Sequence, residues 1–507
     1  MLIKIADIFD VSLDELVGRK RCSLRGIIFI IGAVVDFSHG CGIMLAENKF
    51  CEAFMDYTYK RQNVYALADE KQLGVISEYA EGYKKFLDNG KTEREVVAES
   101  VAMIEAQGYK AYVLGDKINP GDKLYYNNRG KGLFIIRAGK ADVAKNGVRI
   151  LVAHVDSPRL DLKQVPLYEK ADMAYLKTHY YGGIKKYQWL TIPLALHGVV
   201  MLKDGSKVTL NVGEDENDPV FYITDLLPHL SQELNTKTIA DGFQAENLNL
   251  LVGGIPVKGD EKDAVKKGVL NILNAKYGIC EEDFISAELE AVPAVKAKDV
   301  GFDRAYVASY GHDDRVCAYP EITATLEANT DQTVMCILAD KEEIGSEGNT
   351  GMQCVLINDL LNEIAKSYGA NPSVVRENSK CISADVTAGF DPAFASAFED
   401  MNAGHVNFGV TMNKFTGARG KSGSNDASAE YIGYLRQVFA KAGIVWQTGE
   451  LGRVDLGGGG TVAKFISNMN IDTVDMGVPV LSMHAPYELI SKADLYTAHQ
   501  AFVAFVE

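Results

Sequence analysis

The stretch Val334-Met335-Cys336-Ile337-Leu338 runs directly into Ala339-Asp340-Lys341-Glu342-Glu343-Ile344-Gly345-Ser346, and this junction decides the fold. The apolar run predicts a buried strand, so the paired glutamates lie at its carboxyl end, where open α/β sheets bind ligands. Two adjacent carboxylates in a dry cleft repel each other unless a cation or a shared proton offsets their charge. A metal interpretation makes one glutamate a ligand and the other a base. A solvated loop is the alternative, so other candidate ligands must decide.

Length and composition limit what the chain can be. With 507 residues, 47% of them hydrophobic and 24% charged, it is a folded chain too long for one core, and at least two domains are expected. A net charge of -16 disfavours nucleic acid and anionic membranes as partners. The apolar run at residues 27–35 is shorter than the ~20 residues of a membrane span. The eight cysteines contain no C-x-x-C pair, which argues against a cysteine zinc site and favours a reducing cytoplasm.

Residues 1–45 are predicted to be an extension outside the main folded part. The segment Leu2–Leu16 resembles the end of a phage-repressor type helix-turn-helix domain, and an apolar linker follows it. The recognition helix that would precede this piece and enter the major groove is missing. We therefore predict no DNA binding and a main folded part that starts near Met44 or Met55.

Strand and helix patterns alternate along the rest of the chain and predict an α/β fold with a largely parallel, doubly wound sheet. Residues 46–162 and 299–507 are predicted to form one main domain, and the β-rich residues 163–298 an inserted second domain. The predicted helices cover residues 64–87, 92–107, 260–276, 316–328, 352–368, 423–442 and 492 onward. The predicted strands cover residues 132–138, 148–153, 193–202, 208–212, 334–339, 380–386, 444–448 and 473–482.

Three more predicted strands lead into side chains that bind metals. His154 follows one of them, and Asp156, two residues on, is placed to orient the imidazole. Asp385 ends the second strand and His484 follows the third. Each of these residues alone has an ordinary explanation, such as a hydrogen-bonded histidine. Their common position at the carboxyl ends of strands in one sheet favours a shared site.

The segment Gly311-His312-Asp313-Asp314-Arg315 precedes a predicted helix and adds a further carboxylate. One of its aspartates could bridge two cations, or it could cap the helix. Two histidines and three carboxylates suit a pair of zinc-like ions about 3.5 to 4 Å apart. The glycine run at residues 457–460 either presents backbone N–H groups to a substrate or is a turn.

These residues occur in motifs that resemble the aspartyl aminopeptidase family, which includes vacuolar aminopeptidase I, and in particular its bacterial branch. The resemblance runs in the family's order from about residue 60 to the end. The motifs are His154-Val155-Asp156-Ser157-Pro158, Tyr181-Gly182-Gly183, Asp313-Asp314-Arg315, Glu342-Glu343-Ile344-Gly345-Ser346, Ser383-Ala384-Asp385, Ser424-Asn425-Asp426-Ala427-Ser428 and Met483-His484. The resemblance implies a zinc-exopeptidase-like fold, in which residues 163–298 are a dimerisation domain. It also implies peptide substrates and assembly of the chain into a homododecamer.

The resemblance implies a ligand set for two zinc ions per subunit, which cobalt or manganese can replace. His154 and Asp385 belong to one ion, Glu343 and His484 to the other, and Asp313 bridges them.

Three further residues take catalytic roles by the same resemblance. Glu342 is the general base, and Asp156 supports the ligand His154. His229 is the candidate for a histidine that reaches a neighbouring subunit's site and stabilises the transition state. A hydrogen-bonded helix histidine is the alternative for His229.

The residues after Ser-Ala-Asp depart from the family, because Val386 to Asp391 contains none of the histidines that aspartyl-specific members carry there. Lys414, Arg419 and Lys421 could still form a positive pocket for an acidic side chain, or they could be surface charges. The prediction is thus a cytoplasmic metalloaminopeptidase that removes N-terminal residues, either acidic or broad and neutral. Another dinuclear metal amidohydrolase and a non-catalytic scaffold are the alternatives.

Overall fold

Nine strands form a central sheet in the computed structural model, which describes residues 57–259 and 262–507. Residues 61–507 form one compact unit, and the fold is that of this unit. The predicted extension at residues 1–45, with its helix-turn-helix resemblance, lies outside the described residues, as do Met44 and Met55.

Strands and helices follow one another along the described residues. The strands are β1 (Lys110–Ala111), β2 (Lys123–Asn128), β3 (Gly132–Arg137), β4 (Val148–His154), β5 (Arg159–Lys170), β6 (Met173–Tyr181), β7 (Leu194–Met201), β8 (Lys207–Val212), β9 (Leu250–Gly253), β10 (Ala287–Pro293), β11 (Lys298–Val300), β12 (Tyr306–Ser309), β13 (Thr333–Ala339), β14 (Lys380–Ser383), β15 (Thr387–Ala388), β16 (Val410–Asn413), β17 (Trp446–Thr448), β18 (Asp472–Gly477), β19 (Pro479–Leu481) and β20 (Glu488–Ser491). The helices are α1 (Val64–Leu67), α2 (Glu70–Asn89), α3 (Glu93–Glu105), α4 (Val143–Asn146), α5 (Ile239–Gly242), α6 (Ala264–Tyr277), α7 (His312–Glu327), α8 (Leu356–Ser367), α9 (Pro372–Asn378), α10 (Ala429–Ala442), α11 (Ala463–Ser467) and α12 (Lys492–Val506).

The central sheet is parallel in its middle and mixed toward its edges. Its strand order is β1-β2-β3-β13-β4-β14-β18-β16-β17. The middle strands β13, β4, β14 and β18 are all parallel to their neighbours in that group. Strand β3 pairs antiparallel with β2 and β13, and β16 pairs antiparallel with β18. The predicted α/β class is confirmed, and the prediction of a largely parallel sheet holds for the middle strands.

Helices cover both faces of the central sheet. Leu151 and Ala153 of β4 belong to a core that includes Phe86 of α2 and Phe502 of α12. Ile150 and Val152 belong to a second core on the opposite face, with α8 and α9. Because successive strand residues point to opposite faces, a strand buried on both sides reads as a continuous apolar run. That is why the middle strands were predictable from the sequence.

Residues 159–293 form a separate, fully antiparallel sheet of six strands, in the order β8-β7-β10-β5-β6-β9. Its core is built around Trp189, Leu194 and Phe284. The interpretation of residues 163–298 as an inserted domain stays a prediction.

A third, smaller sheet has the order β11-β12-β20-β19-β15. None of the helices among the described residues is long and apolar enough to cross a membrane.

Two of the predicted strands differ from the structure in ways that shape the site. The predicted strand 473–482 is divided at Val478, so that β18 lies in the central sheet and β19 in the third sheet. The predicted strand 380–386 ends at Ser383, and the chain then passes over Gly477, where an added Cβ would lie 1.9 Å from the Asp385 carbonyl oxygen. The glycine permits this close crossing, which carries Asp385 away from the sheet.

The helix predicted to precede β17 starts later than expected. The helix predicted at residues 423–442 begins at Ala429, because the Ser428 side chain caps it by accepting a hydrogen bond from the Tyr431 N–H. Residues 423–427 therefore belong to the preceding loop.

Candidate metal centre

Strand ends bring the predicted ligands together. Strands β13 and β4 are neighbours in register, with Ala339 opposite His154. The chain leaves β13 through Lys341, at a φ of 69°, and enters a single turn of 3-10 helix that carries Glu342 and Glu343. This tight turn places both glutamates beside the end of β4.

The five predicted ligands form two groups that share one carboxylate. His154, Asp313 and Asp385 form one group, and Asp313, Glu343 and His484 form the other, with ligand atoms within 4.8 Å of one another in each. Asp313 turns one oxygen toward each histidine: Oδ1 lies 3.1 Å from His154 Nε2, and Oδ2 lies 3.2 Å from His484 Nε2. A carboxylate in this position can bridge two cations.

The remaining ligand distances fit the same arrangement. Asp385 Oδ1 lies 4.0 Å from His154 Nε2, and Glu343 Oε1 lies 3.6 Å from His484 Nε2. A third group combines His154, Glu342 and Glu343. Glu342 therefore lies close enough to the centre to be either a base or a ligand.

Both histidines present Nε2 to the centre because Nδ1 is hydrogen-bonded elsewhere. His154 Nδ1 lies 2.9 Å from the Asp156 carbonyl oxygen, and His484 Nδ1 lies 2.7 Å from the Gly183 carbonyl oxygen. A carbonyl can only accept, so each Nδ1 donates and each Nε2 is the nitrogen left to face Asp313, where a metal can replace its proton.

The electrostatics of the pocket suit a divalent cation. Asp313 Oδ1 and Glu343 Oε1 are buried and accept no hydrogen bond from the described residues. Burial raises the pKa of Asp385 and of Glu343 well above the ordinary value, and neighbouring carboxylates raise both further. Burial alone would lower the pKa of His484, but the Asp313 carboxylate raises it to about 10. Buried, unpaired oxygens next to two imidazoles form a nitrogen and oxygen donor set that zinc accepts.

The Asp156 carboxylate makes more hydrogen bonds than its predicted role of orienting His154 requires. Its carboxylate lies 3.3 Å from His154 Nδ1, as expected for an orienting residue. It also accepts hydrogen bonds from the backbone N–H groups of Glu342, at 3.1 Å, and Glu343, at 3.2 Å. The Tyr181 hydroxyl donates a further bond to it at 2.9 Å. One buried carboxylate thus fixes both a histidine and the glutamate turn.

Two further buried acids, Glu488 and Asp314, also hold the centre. Glu488 accepts from the Asp313 N–H at 3.1 Å and from the His484 N–H at 2.7 Å. Asp314 accepts from the His154 N–H at 3.2 Å. The only sequence signal for Glu488 was a charged residue at the start of an apolar strand.

The three predicted substrate-binding residues lie in the loop between β16 and α10. Lys414 donates to Asp426 Oδ1 at 2.8 Å, and Lys421 donates to Asp426 Oδ2 at 3.1 Å. Arg419 is exposed, at a φ of 51°. Their role as a binding pocket stays a prediction, and Asp426 already pairs with both lysines.

His229 lies on an exposed turn of 3-10 helix, Pro228–Leu230, within the chain segment of the antiparallel sheet. It is not a member of the three metal-ligand groups found among the described residues. Its predicted action on a neighbouring subunit stays a prediction.

Comparison with known proteins identifies the protein family that this chain matches. The chain matches the aminopeptidase I zinc metalloprotease (M18) family over residues 86–506. It is 48% identical over 461 residues to a probable M18 family aminopeptidase 1 of Clostridium acetobutylicum. The aligned region covers 89% of this chain and 99% of that protein. The crystal structure of an M18-family aminopeptidase from Thermotoga maritima is similar with a TM-score of 0.85 and 42% identity, over 89% of this chain and 100% of that one. The S. cerevisiae mApe1 dodecamer shares the fold, with a TM-score of 0.69 and 20% identity over 85% of this chain and 97% of that one.

Proposed function

This chain belongs to the aminopeptidase I zinc metalloprotease (M18) family and is a zinc aminopeptidase, and we propose that each subunit binds two zinc ions and prefers peptides with an acidic N-terminal residue. The observation that carries the two-ion proposal is the Asp313 carboxylate, whose two oxygens face different histidines. His154 and Asp385 complete one group of ligands, and His484 and Glu343 complete the other. When bound, zinc polarises the scissile carbonyl and makes a water molecule acidic enough to attack near neutral pH.

Glu342 is the residue that we propose moves the proton. Its backbone is fixed by the hydrogen bond to Asp156, and burial raises its pKa to about 7. A carboxyl group with a pKa near the working pH accepts a proton from the attacking water and then delivers it to the leaving amine. The protonation of that amine completes the cleavage.

A preference for neutral N-terminal residues is the second candidate, and the loop between β16 and α10 favours it. Lys414 and Lys421 both pair with Asp426, so an acidic substrate side chain must compete with a carboxylate of the protein. An acidic preference then requires one of these lysines to exchange its partner when substrate binds, or Arg419 to bind the acidic side chain.

Hydrolysis of aminoacyl substrates with N-terminal Asp, Glu, Leu and Lys, measured with and without a chelator, tests the proposed function. We expect chelator-sensitive cleavage that favours Asp and Glu. Lys414→Ala should lower kcat/KM for these two about 10- to 100-fold, as expected for the loss of a charged hydrogen bond, and leave Leu unchanged. Lys441→Ala, on an exposed turn of α10, is the matched control. Preferred cleavage of Leu that is insensitive to Lys414→Ala would establish the neutral preference instead.

We also propose that the chain forms a homo-oligomer, a dodecamer, through residues 163–298, and that His229 acts on a partner's site. The support is the exposed position of His229 and the dodecamer formed by the S. cerevisiae relative. A donor at that position would stabilise the oxyanion of the tetrahedral intermediate.

Mixing two inactive variants tests whether His229 acts in trans. His229→Ala and Glu342→Gln should each be inactive alone. In a mixed dimer, one site combines an intact Glu342 with His229 from the other subunit. Random reassembly makes half of the dimers mixed, and one of the two sites in each mixed dimer is complete. About a quarter of the wild-type activity should therefore return. If His229 acts within its own subunit, mixing restores nothing.

We propose a cytoplasmic location. The described cysteines, Cys280, Cys317, Cys336, Cys354 and Cys381, are free thiols, as a reducing compartment keeps them.

A further inference from the structure

Three consecutive residues at the end of β6, Tyr181-Gly182-Gly183, touch three different residues of the metal centre. The Tyr181 hydroxyl donates to Asp156 Oδ2. Gly183 accepts the Nδ1–H of His484 on its carbonyl oxygen. These contacts come from the antiparallel sheet, whereas the metal ligands come from the central and third sheets and from α7.

Gly182, the middle residue, lies against Glu343. A Cβ added at Gly182 would be 3.0 Å from Glu343 Oε2 and 3.2 Å from Glu343 Cβ. Gly182 has a φ of 72°, a left-handed conformation that glycine adopts at little cost. A side chain at Gly182 would therefore press on Glu343, which would have to shift by a few tenths of an ångström.

The Tyr181–Gly183 segment is held firmly at its beginning. The Arg159 guanidinium lies 3.8 Å from the centre of the Tyr181 ring. Arg159 is itself buried, and its Nε lies 2.8 Å from Asp161 and 3.1 Å from Glu290. Arg159 and Tyr181 are partners in the β5–β6 ladder. The position of the segment is thus set by β5, β6 and β10 of the antiparallel sheet.

The direct contacts of the two glycines fall on one half of the centre. Gly182 faces Glu343, and Gly183 fixes His484, the two ligands that complete the second group with Asp313. His154, in the first group, is oriented by the carbonyl of Asp156.

We propose that Gly182 and Gly183 position Glu343 and His484, so that zinc binding in this half of the centre depends on direct contacts from this segment, whereas the segment reaches the His154–Asp385 half only indirectly, through Tyr181 and Asp156. This inference rests on the proposed binding of two zinc ions. Gly182 and Gly183 contact the ligands Glu343 and His484, so they act as positioning residues. The antiparallel sheet thereby controls loading of one ion independently of any residue that it contributes to catalysis.

Zinc titration of the metal-free full-length chain, followed by chelator competition, tests the inference. Gly182→Ala should weaken one of the two zinc-binding steps by about 10- to 100-fold, the range for loss of a supporting contact to a metal ligand, and leave the other step unchanged. Gly205→Ala is the matched control, because Gly205 has a φ of 85° and an added Cβ meets no atom within 4 Å. It shares the backbone cost of the substitution without the contact to Glu343.

A second pair of variants serves if Gly182→Ala fails to fold. Gly183 does not need a left-handed backbone, and a Cβ added there would be 3.2 Å from His484 Nδ1. Gly183→Ala should also weaken a single step, and Gly254→Ala, where an added Cβ meets nothing within 4 Å, should weaken neither. Two unchanged steps, or two steps weakened equally, would overturn the inference while leaving the two-zinc proposal in place. A wild-type chain that binds one zinc ion overturns both.

Discussion

Glu342→Gln is expected to lower kcat about 10²- to 10⁴-fold, the usual contribution of a general acid–base group, while zinc content stays at the wild-type level. Glutamine has nearly the same shape as glutamate, so the turn that carries it can keep its hydrogen bond to Asp156. The amide cannot accept a proton from water at neutral pH, and this loss confines the effect to the chemical step. Turnover under saturating substrate, measured together with zinc content, separates this effect from a loss of metal.

The matched control is Glu347→Gln, an exposed acid a few residues along the same loop, which should behave as the wild type. Two outcomes count against the assignment. Near-normal turnover of Glu342→Gln would exclude Glu342 as the base. Loss of zinc would make Glu342 a ligand, which its membership of a group with His154 and Glu343 also permits. The two outcomes differ in zinc content, so one measurement distinguishes them.

The residues that the structure brings together at the centre are those that sequence patterns place at strand ends. His154 ends β4, and Glu343 follows β13. Parallel neighbouring strands present their carboxyl ends at one edge of a sheet. An apolar run followed by a polar residue therefore predicts that the polar side chain lies at that edge. The same reasoning predicted the middle strands of the sheet, because burial on both faces leaves a continuous apolar run.

Contacts that depend on the packing of distant segments had no comparable signal. Glu488 reaches Asp313 only because β20 of the third sheet lies beside α7. The contact of Gly183 with His484 joins residues 301 positions apart in the chain. Asp426 pairs with Lys414 and Lys421 through a loop that the sequence assigned in part to a helix. Such pairs are fixed by tertiary packing, which a single sequence does not encode in a local pattern.

The substitution Asp313→Asn is expected to weaken the binding of both zinc ions and to abolish activity, because Asp313 is the residue that the two ligand groups share. The amide retains one carbonyl oxygen, and its nitrogen cannot act as the second ligand atom. The buried cluster also loses a negative charge that offsets the charge of the two cations. Zinc content after dialysis against a weak chelator should fall from two ions per chain to fewer than one.

The control for Asp313→Asn is His484→Ala, which removes a ligand from a single group. If each group binds its own ion, His484→Ala should keep about one zinc ion per chain, held by His154, Asp385 and Asp313. Equal losses in both variants would mean that the ions bind as one cooperative cluster. Two tightly held ions in Asp313→Asn would show that Asp313 does not bridge them, even though its two oxygens lie 3.1 and 3.2 Å from the two histidines. The contrast between the variants therefore tests the shared carboxylate itself and not merely the presence of metal.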